Sequence, residues 1–173
     1  MKSLEHLLST YKSVHLNKQN IATHFIGIPL ILWSVALLFA TLSFTVVGID
    51  TNVMQVLAVV IFTYYLLLDV KLGLIAILLI APIWFHAQSF VAHQSPYLLA
   101  IGVFVIGWLF QFIGHFFEKA KPAFFDDLKQ LLIGPLFLVA ELCFLIGLFS
   151  QLEQQISKEA LKLRAAINSD LKN

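Results

Sequence analysis

The chain is poor in charged residues. Asp, Glu, Lys and Arg make up only 12% of its 173 residues, whereas a soluble domain carries about 25%. Hydrophobic residues make up 60% of the chain and lie in long runs separated by short polar segments. This composition excludes an ordinary soluble domain. It predicts an all-α fold, an integral membrane helical bundle of four to five transmembrane segments.

Several other features are scarce or missing, and each excludes a class of protein. The single cysteine, Cys143, excludes an intramolecular disulfide and a cysteine metal cluster. A net charge of +1 gives no sign of a nucleic-acid partner. No internal repeat of the kind found in secondary transporters is visible. Because the first residues are polar, we expect the first apolar segment to direct membrane insertion instead of a cleavable signal peptide.

The apolar segments are predicted to form one membrane domain over residues 1–173. An amphipathic helix at 3–14, placed on the membrane surface, precedes them, and a C-terminal helix follows them. The second and third segments are shorter than the roughly 20 residues of a full span. They form either short tilted spans or a tight helical hairpin around Asp69-Val70-Lys71. The predicted segments cover approximately 25–47, 53–68, 72–85, 97–117 and 131–149.

The distribution of Lys and Arg predicts the orientation of these segments. Lysines lie before the first segment and in 118–130, whereas the loops at 48–52 and 86–96 have neither Lys nor Arg. Four spans with a cytoplasmic N-terminus satisfy this pattern. The tail is also basic, so either the rule fails there or 131–149 enters the membrane and returns, with a break permitted at Gly134-Pro135. We favour a non-spanning or broken fifth segment. A bacterial inner membrane is the expected location, or the endoplasmic reticulum if the protein is eukaryotic.

Three histidines fall on the predicted cytoplasmic side, at the ends of apolar segments. Asn17, Asn20 and His24 share one helical face through their spacings of three and four. His15 can converge with His24 only if the chain turns between them, and Asn17 is a suitable N-cap at that turn. A lone interfacial histidine is usually a solvated residue. Two polar helix faces that carry histidines, the second of them with His115, favour a metal centre.

The second group lies on the fourth predicted span. Gln111, His115 and Glu118 share one face there, at i, i+4 and i+7. Together the two faces offer three imidazoles and a carboxylate, which are ligand types of non-haem iron. The amides of Asn17, Asn20 and Gln111 suit hydrogen bonds that orient the imidazoles or a bound carboxylate.

Two acidic residues each have two interpretations. Glu118 is either a ligand or the partner of Lys119 or Lys121 on a wet surface. Glu141 lies inside an apolar segment, where a carboxylate is costly and often functional. Its alternative is a structural hydrogen bond to another helix.

Two blocks of the sequence resemble the Mpo-type membrane dioxygenases. The resemblance covers about residues 8 to 141, and the middle of the chain matches only in hydropathy. Leu16 departs from the fungal pattern, which has a second consecutive histidine there, and the segment from His115 to Glu118 is one residue shorter. The matching residues are Tyr11-x3-His15-x-Asn17-x2-Asn20-x3-His24-x-Ile26-Gly27-Ile28-Pro29, then Trp108-x2-Gln111-Phe112-Ile113-Gly114-His115, Glu118, Pro122-Ala123, Asp126-Asp127-Leu128 and Gly134-Pro135.

The resemblance implies an Fe²⁺-dependent dioxygenase that uses O₂ to shorten 2-hydroxy fatty acids by one carbon, without 2-oxoglutarate. The fungal member resides in the endoplasmic reticulum and acts in phytosphingosine breakdown. His15, His24 and His115 are the implied iron ligands and catalytic residues. The predicted supporting or substrate-binding residues are Tyr11, Asn17, Asn20, Gln111, Glu118, Lys119 and Glu141, with Lys18 and Lys121 as further candidates to steer the substrate carboxylate.

The residues agree with this chemistry and leave two alternatives. A 2-hydroxy acid can chelate a metal through its hydroxyl and carboxylate oxygens, while its acyl tail stays in the bilayer, because each buried methylene contributes about 0.8 kcal/mol. A non-catalytic small membrane carrier or assembly protein is the first alternative. A zinc-dependent lipid hydrolase is the second, since three histidines with an open position also suit zinc.

Overall fold

The computed structural model describes residues 3–125 and 127–170, so Asp126 lies outside the described residues. Helices account for most of this part of the chain, which confirms the predicted helical class. One β-hairpin and one 3-10 turn complete it. The elements are α1 (Leu4–Lys12), α2 (Lys18–Ala40), β1 (Ser43–Val46), β2 (Ile49–Asn52), α3 (Val53–Leu68), α4 (Val70–Gln88), α5 (Pro96–Glu118), the 3-10 turn Ala123–Phe125, α6 (Gln130–Leu145) and α7 (Ser150–Asp170).

Three of these helices, α2, α4 and α5, are long and apolar enough to cross a membrane by length and composition. The helices α3 and α6 are apolar too, but they have 16 residues each. At 1.5 Å per residue they are about 24 Å long, less than the roughly 30 Å hydrocarbon core of a bilayer. The helices thus support the membrane architecture that the composition predicts.

The chain divides into two compact units by its internal contacts. The first unit comprises the described parts of 1–24 and 113–173, and the second comprises 25–112. Both α2 and α5 contribute residues to each unit. The three histidines all belong to the first unit.

A β-hairpin in the second unit shortens the first predicted span. Residues 43–46 fall within the predicted 25–47 segment, but they form β1 and pair antiparallel with β2. The connecting turn is Val47-Gly48, whose φ angles of 52° and 79° match the primed turns that join hairpin strands. The prediction was wrong here because Phe44 and Val46 continue the apolar run, while Phe, Thr and Val all favour strands.

The helices α3 and α4 form a tight hairpin, which is one of the two predicted alternatives. Asp69 has an extended conformation between them, and its Oδ1 accepts a hydrogen bond from the Leu72 backbone at 2.8 Å. Gly73 brings α4 against α3, since a Cβ there would lie 2.9 Å from the backbone of Tyr65.

The first unit is built around α6. Every residue of 133–140 is buried, and α1 packs against both α6 and α7. The apolar stripe of α1 therefore contacts protein helices, whereas the sequence predicted that it lies on a membrane surface. The predicted break at Gly134-Pro135 is wrong. Pro135 lies in the second turn of α6, and the helix continues past it to Leu145.

Candidate metal centre

The three predicted histidines meet within the first unit. His15 follows the end of α1, His24 lies in the second turn of α2, and His115 lies in the last turn of α5. Ligand nitrogens from the three side chains lie within 4.8 Å of one another. The exposed fractions of the residues are only 1%, 1% and 7%. The convergence that the sequence predicts is therefore observed, while the role of the histidines as ligands remains a prediction.

Backbone hydrogen bonds determine which nitrogen of each imidazole carries the hydrogen. The Nδ1 atom of each ring donates to a carbonyl four or five residues away, at 2.6 Å for His15, 2.8 Å for His24 and 3.2 Å for His115. A carbonyl can only accept, so each neutral ring carries its proton on Nδ1 and leaves a lone pair on Nε2. The accepting carbonyls are those of Tyr11, Asn20 and Ala120.

The spacing of two of the Nε2 atoms fits a transition metal. Those of His15 and His24 are 3.0 Å apart, and with the protons on Nδ1 their facing lone pairs repel unless a cation lies between them. A metal with bonds of about 2.1 Å to nitrogen, held at a right angle, separates its two ligands by about 3.0 Å. Both the donor set and this spacing suit a metal ion bound by neutral imidazoles.

The surroundings of His15 keep its imidazole neutral. Burial, and then the neighbouring His24 and His115, lower the pKa of His15 well below its usual range. Tyr11 stacks on the ring, with centroids 4.0 Å apart and an interplanar angle of 3°. The ring of Phe137 lies 5.7 Å from that of His15. The predicted site residue Tyr11 therefore forms an apolar wall that also excludes water.

Glu118 is buried and lies three residues after His115 in the sequence. Its carboxylate oxygens already interact with other groups of the protein. Its Oε2 accepts hydrogen bonds from the backbone N–H of Asn17 at 2.7 Å and from the side-chain amide of Asn20 at 3.1 Å. Its Oε1 lies 3.4 Å from a guanidinium nitrogen of Arg164. The side chain is 2% exposed, so the predicted wet surface is wrong. Among the described residues, the metal-capable group contains only the three histidines.

Asn17 and Asn20 organise the start of α2. The Asn17 side chain accepts from the Gln19 backbone N–H at 2.8 Å, which confirms the predicted N-cap. The Asn20 amide also donates to the carbonyl of Val14 at 3.2 Å. Since the Asn20 carbonyl holds the His24 ring, this one residue connects the approach to α2 with a candidate ligand.

Gly114 allows α5 to come close to α2 at the histidines. A Cβ at Gly114 would lie 2.2 Å from the Thr23 hydroxyl, 2.4 Å from Asn20 Oδ1 and 3.2 Å from Nδ1 of His24. Real contacts of this kind are longer, so no other residue type fits without movement of α2. The sequence motif contains this glycine, and only the structure supplies the reason for it.

Comparison with known proteins decides the family. The sequence model described as "2-hydroxy-palmitic acid dioxygenase Mpo1-like" matches residues 1–146. The chain belongs to the Mpo1-like family. It is 32% identical over 158 residues to the Saccharomyces cerevisiae protein named 2-hydroxy-palmitic acid dioxygenase MPO1. The aligned region covers 88% of this chain and 86% of the yeast protein. No solved structure matches the chain.

The Mpo1-like match includes all three histidines and ends before α7. It confirms the resemblance that the two sequence blocks indicate. Arg164, the partner of Glu118, lies beyond the matched part. Sequence reasoning treated it only as a tail charge, and no local pattern connects it with the histidines.

The remaining predicted residues lie in other surroundings. Gln111 is buried in the second unit, where its Nε2 lies 2.1 Å from the position of a Cβ added to Gly27. Within the described residues that nitrogen has no hydrogen-bond partner. Lys18, Lys119 and Lys121 are exposed, as a steering role requires, and that role remains a prediction.

Glu141 forms an ion pair with Lys12 of α1. The ammonium group of Lys12 also lies 5.8 Å and 5.9 Å from the ring centroids of Phe137 and Phe144. The two charged side chains are only 12% and 13% exposed. The structure thus agrees with the second interpretation of Glu141, a structural bond to another helix. The sequence did not indicate that Lys12 is the partner.

The ion pair yields a stability prediction. Glu141→Gln leaves the Lys12 charge between aromatic rings, so we expect the free energy of unfolding to fall by about 3 kcal/mol. The double variant with Lys12→Met should recover most of this loss, because no uncompensated charge remains. Denaturant titrations in detergent micelles measure both. Glu159→Gln is the control, since it breaks an exposed pair with Lys162 and should cost less than about 1 kcal/mol. Equal losses for the two single variants would contradict the prediction.

Proposed function

We propose that this chain is an Fe²⁺-dependent dioxygenase that converts 2-hydroxy fatty acids into fatty acids one carbon shorter, without 2-oxoglutarate. The observation that carries the proposal is the buried set of three histidines whose Nδ1 atoms are all bound to carbonyls, so that three Nε2 lone pairs remain for one metal ion. Membership of a family whose yeast relative is named 2-hydroxy-palmitic acid dioxygenase supports the reaction class and the kind of substrate.

The yeast relative is named a dioxygenase, and a dioxygenase needs a metal that can activate O₂, which iron can do and redox-inactive zinc cannot. Three neutral nitrogens fill half of an octahedral shell and leave open positions. Bound iron would supply the activation of O₂ for cleavage of the carbon–carbon bond.

The position of the histidines on their helices agrees with a lipid substrate. His24 and His115 lie near the polar ends of α2 and α5, both long and apolar enough to cross a membrane. We propose that the hydroxyl and carboxylate of the substrate bind at this interface while its acyl chain remains in lipid. The balanced reaction is R–CH(OH)–COOH + O₂ → R–COOH + CO₂ + H₂O.

The protein residues supply orientation and charge. Carbonyls of Tyr11 and Asn20 hold two of the imidazoles, and the stacked Tyr11 ring excludes water on one side. Lys18, Lys119 and Lys121 would attract the substrate carboxylate. The basic segments around them favour a cytoplasmic position of this face.

An activity assay tests the proposal. The purified protein is loaded anaerobically with iron(II) and given 2-hydroxypalmitate in air-saturated detergent solution. We expect pentadecanoate and the uptake of one O₂ per acid cleaved, with no requirement for 2-oxoglutarate, and no product from palmitate. A zinc-loaded protein that hydrolyses lipids without oxygen uptake would overturn the proposal in favour of a hydrolase. Failure to bind any metal would favour a non-catalytic membrane protein.

A further inference from the structure

Arg164 of α7 binds the ends of two other helices. One of its guanidinium nitrogens donates to the Ser13 carbonyl at 3.2 Å, and another donates to the Glu118 carbonyl at 2.9 Å. Ser13 is the C-cap of α1, and Glu118 is the last residue of α5. Carbonyls at helix ends have no partner within their own helix. The planar guanidinium, with five donors, therefore caps α1 and α5 together.

The carboxylate of Glu118 extends this connection to a third helix. Its Oε1 pairs with Arg164, while its Oε2 accepts from Asn17 and Asn20 at the start of α2. The pair is largely withdrawn from solvent, with side-chain exposures of 17% for Arg164 and 2% for Glu118. The arginine also neutralises a carboxylate that would otherwise be buried without a counter-charge.

Each of these three helix ends carries one candidate metal ligand. His15 comes two residues after the C-cap of α1, and His115 lies three residues before the end of α5. His24 is held by the carbonyl of Asn20, whose amide binds Glu118. Metal binding requires ligand distances correct to about 0.2 Å, so bonds that set the positions of these ends also set the ligand geometry.

We propose that the Arg164–Glu118 pair positions the three histidines, so that metal affinity depends on α7, which lies beyond the part of the chain matched by the family model. The inference rests on the metal centre proposed above. Neither member of the pair touches the metal in this proposal. Both act through the helix ends that carry the ligands.

Cobalt(II) titration tests this inference without the use of activity, because the visible absorption of bound cobalt reports ligand geometry. We expect Arg164→Gln to weaken cobalt binding 10- to 100-fold, which is typical for the loss of a residue that orients ligands, and to alter the absorption spectrum. Arg164→Lys keeps the charge but has no planar guanidinium to bind both helix-end carbonyls. Its cobalt affinity should therefore lie between those of the wild type and Arg164→Gln. Lys162→Gln removes the same charge from an exposed position on α7 and should match the wild type.

A double-variant comparison separates positioning from general destabilisation. Glu118→Gln should weaken cobalt binding about as much as Arg164→Gln, and the combination should lose little more, because both changes disable one pair. Independent, additive losses would overturn the inference. If Arg164→Gln does not fold, Arg164→Lys and Glu118→Gln carry the test, and wild-type affinity with a wild-type spectrum in both would also overturn it. A wild-type protein that binds no cobalt or iron would instead refute the metal centre itself.

Discussion

Replacing His24 or His115 by alanine is expected to abolish stoichiometric iron(II) binding while the helices remain folded. Each change removes one of three buried nitrogens that lie within 4.8 Å of one another. Loss of a residue that only orients a ligand weakens metal binding 10- to 100-fold, so loss of a ligand should exceed about 100-fold. Metal content of the purified protein, measured as iron per chain, and titration of the metal-free protein give the two values.

His6→Ala is the matched control for this experiment. His6 is an exposed residue of α1, and its replacement removes an imidazole without touching the buried group. We expect wild-type iron content in this variant, and an iron-dependent rise of the unfolding temperature in the wild type and His6→Ala alone, because only a protein with a binding site gains stability from the ion. Full iron content in His24→Ala and in His115→Ala would falsify the assignment of the centre.

Gly114→Ala is expected to lower both the stability of the protein and its iron affinity. The added Cβ would approach the Thr23 hydroxyl to 2.2 Å and Asn20 Oδ1 to 2.4 Å. Relief of this overlap requires α2 or α5 to move, at a typical cost of about 1–3 kcal/mol. The same movement displaces His24 from His115, so the loss of metal binding should exceed what the loss of stability alone causes. Denaturant titration and metal titration in the same detergent measure the two effects.

Gly102→Ala on the same helix is the control for Gly114→Ala. Within the described part of the chain, no atom lies within 4 Å of a Cβ added at Gly102, so the added methyl group meets open space. Alanine is also the better helix former, by roughly 1 kcal/mol in water. We expect unchanged metal affinity and no loss of stability. If both variants behaved alike, the close contact of α2 and α5 at Gly114 would be wrong.

Local patterns in the sequence were sufficient for the long helices and for single faces of the site. The fourth predicted segment, 97–117, agrees with α5 because Pro96 suits the first position of a helix and the apolar run is unbroken. The face of Asn17, Asn20 and His24 follows from spacings of three and four along α2. The hairpin at 43–52 was missed, since hydropathy does not distinguish an apolar strand from the end of a span.

The sequence by itself determined the membrane class, the family and which three histidines are the candidate ligands, because hydropathy and motif spacing are properties of consecutive residues. Only the tertiary structure decided how the histidines are held. The pairs Lys12–Glu141 and Arg164–Glu118 join residues 129 and 46 positions apart, and the contact of Gly114 with Asn20 joins two helices. No local periodicity encodes such contacts, since they exist only when helix ends distant in sequence are brought together by burial of their apolar faces.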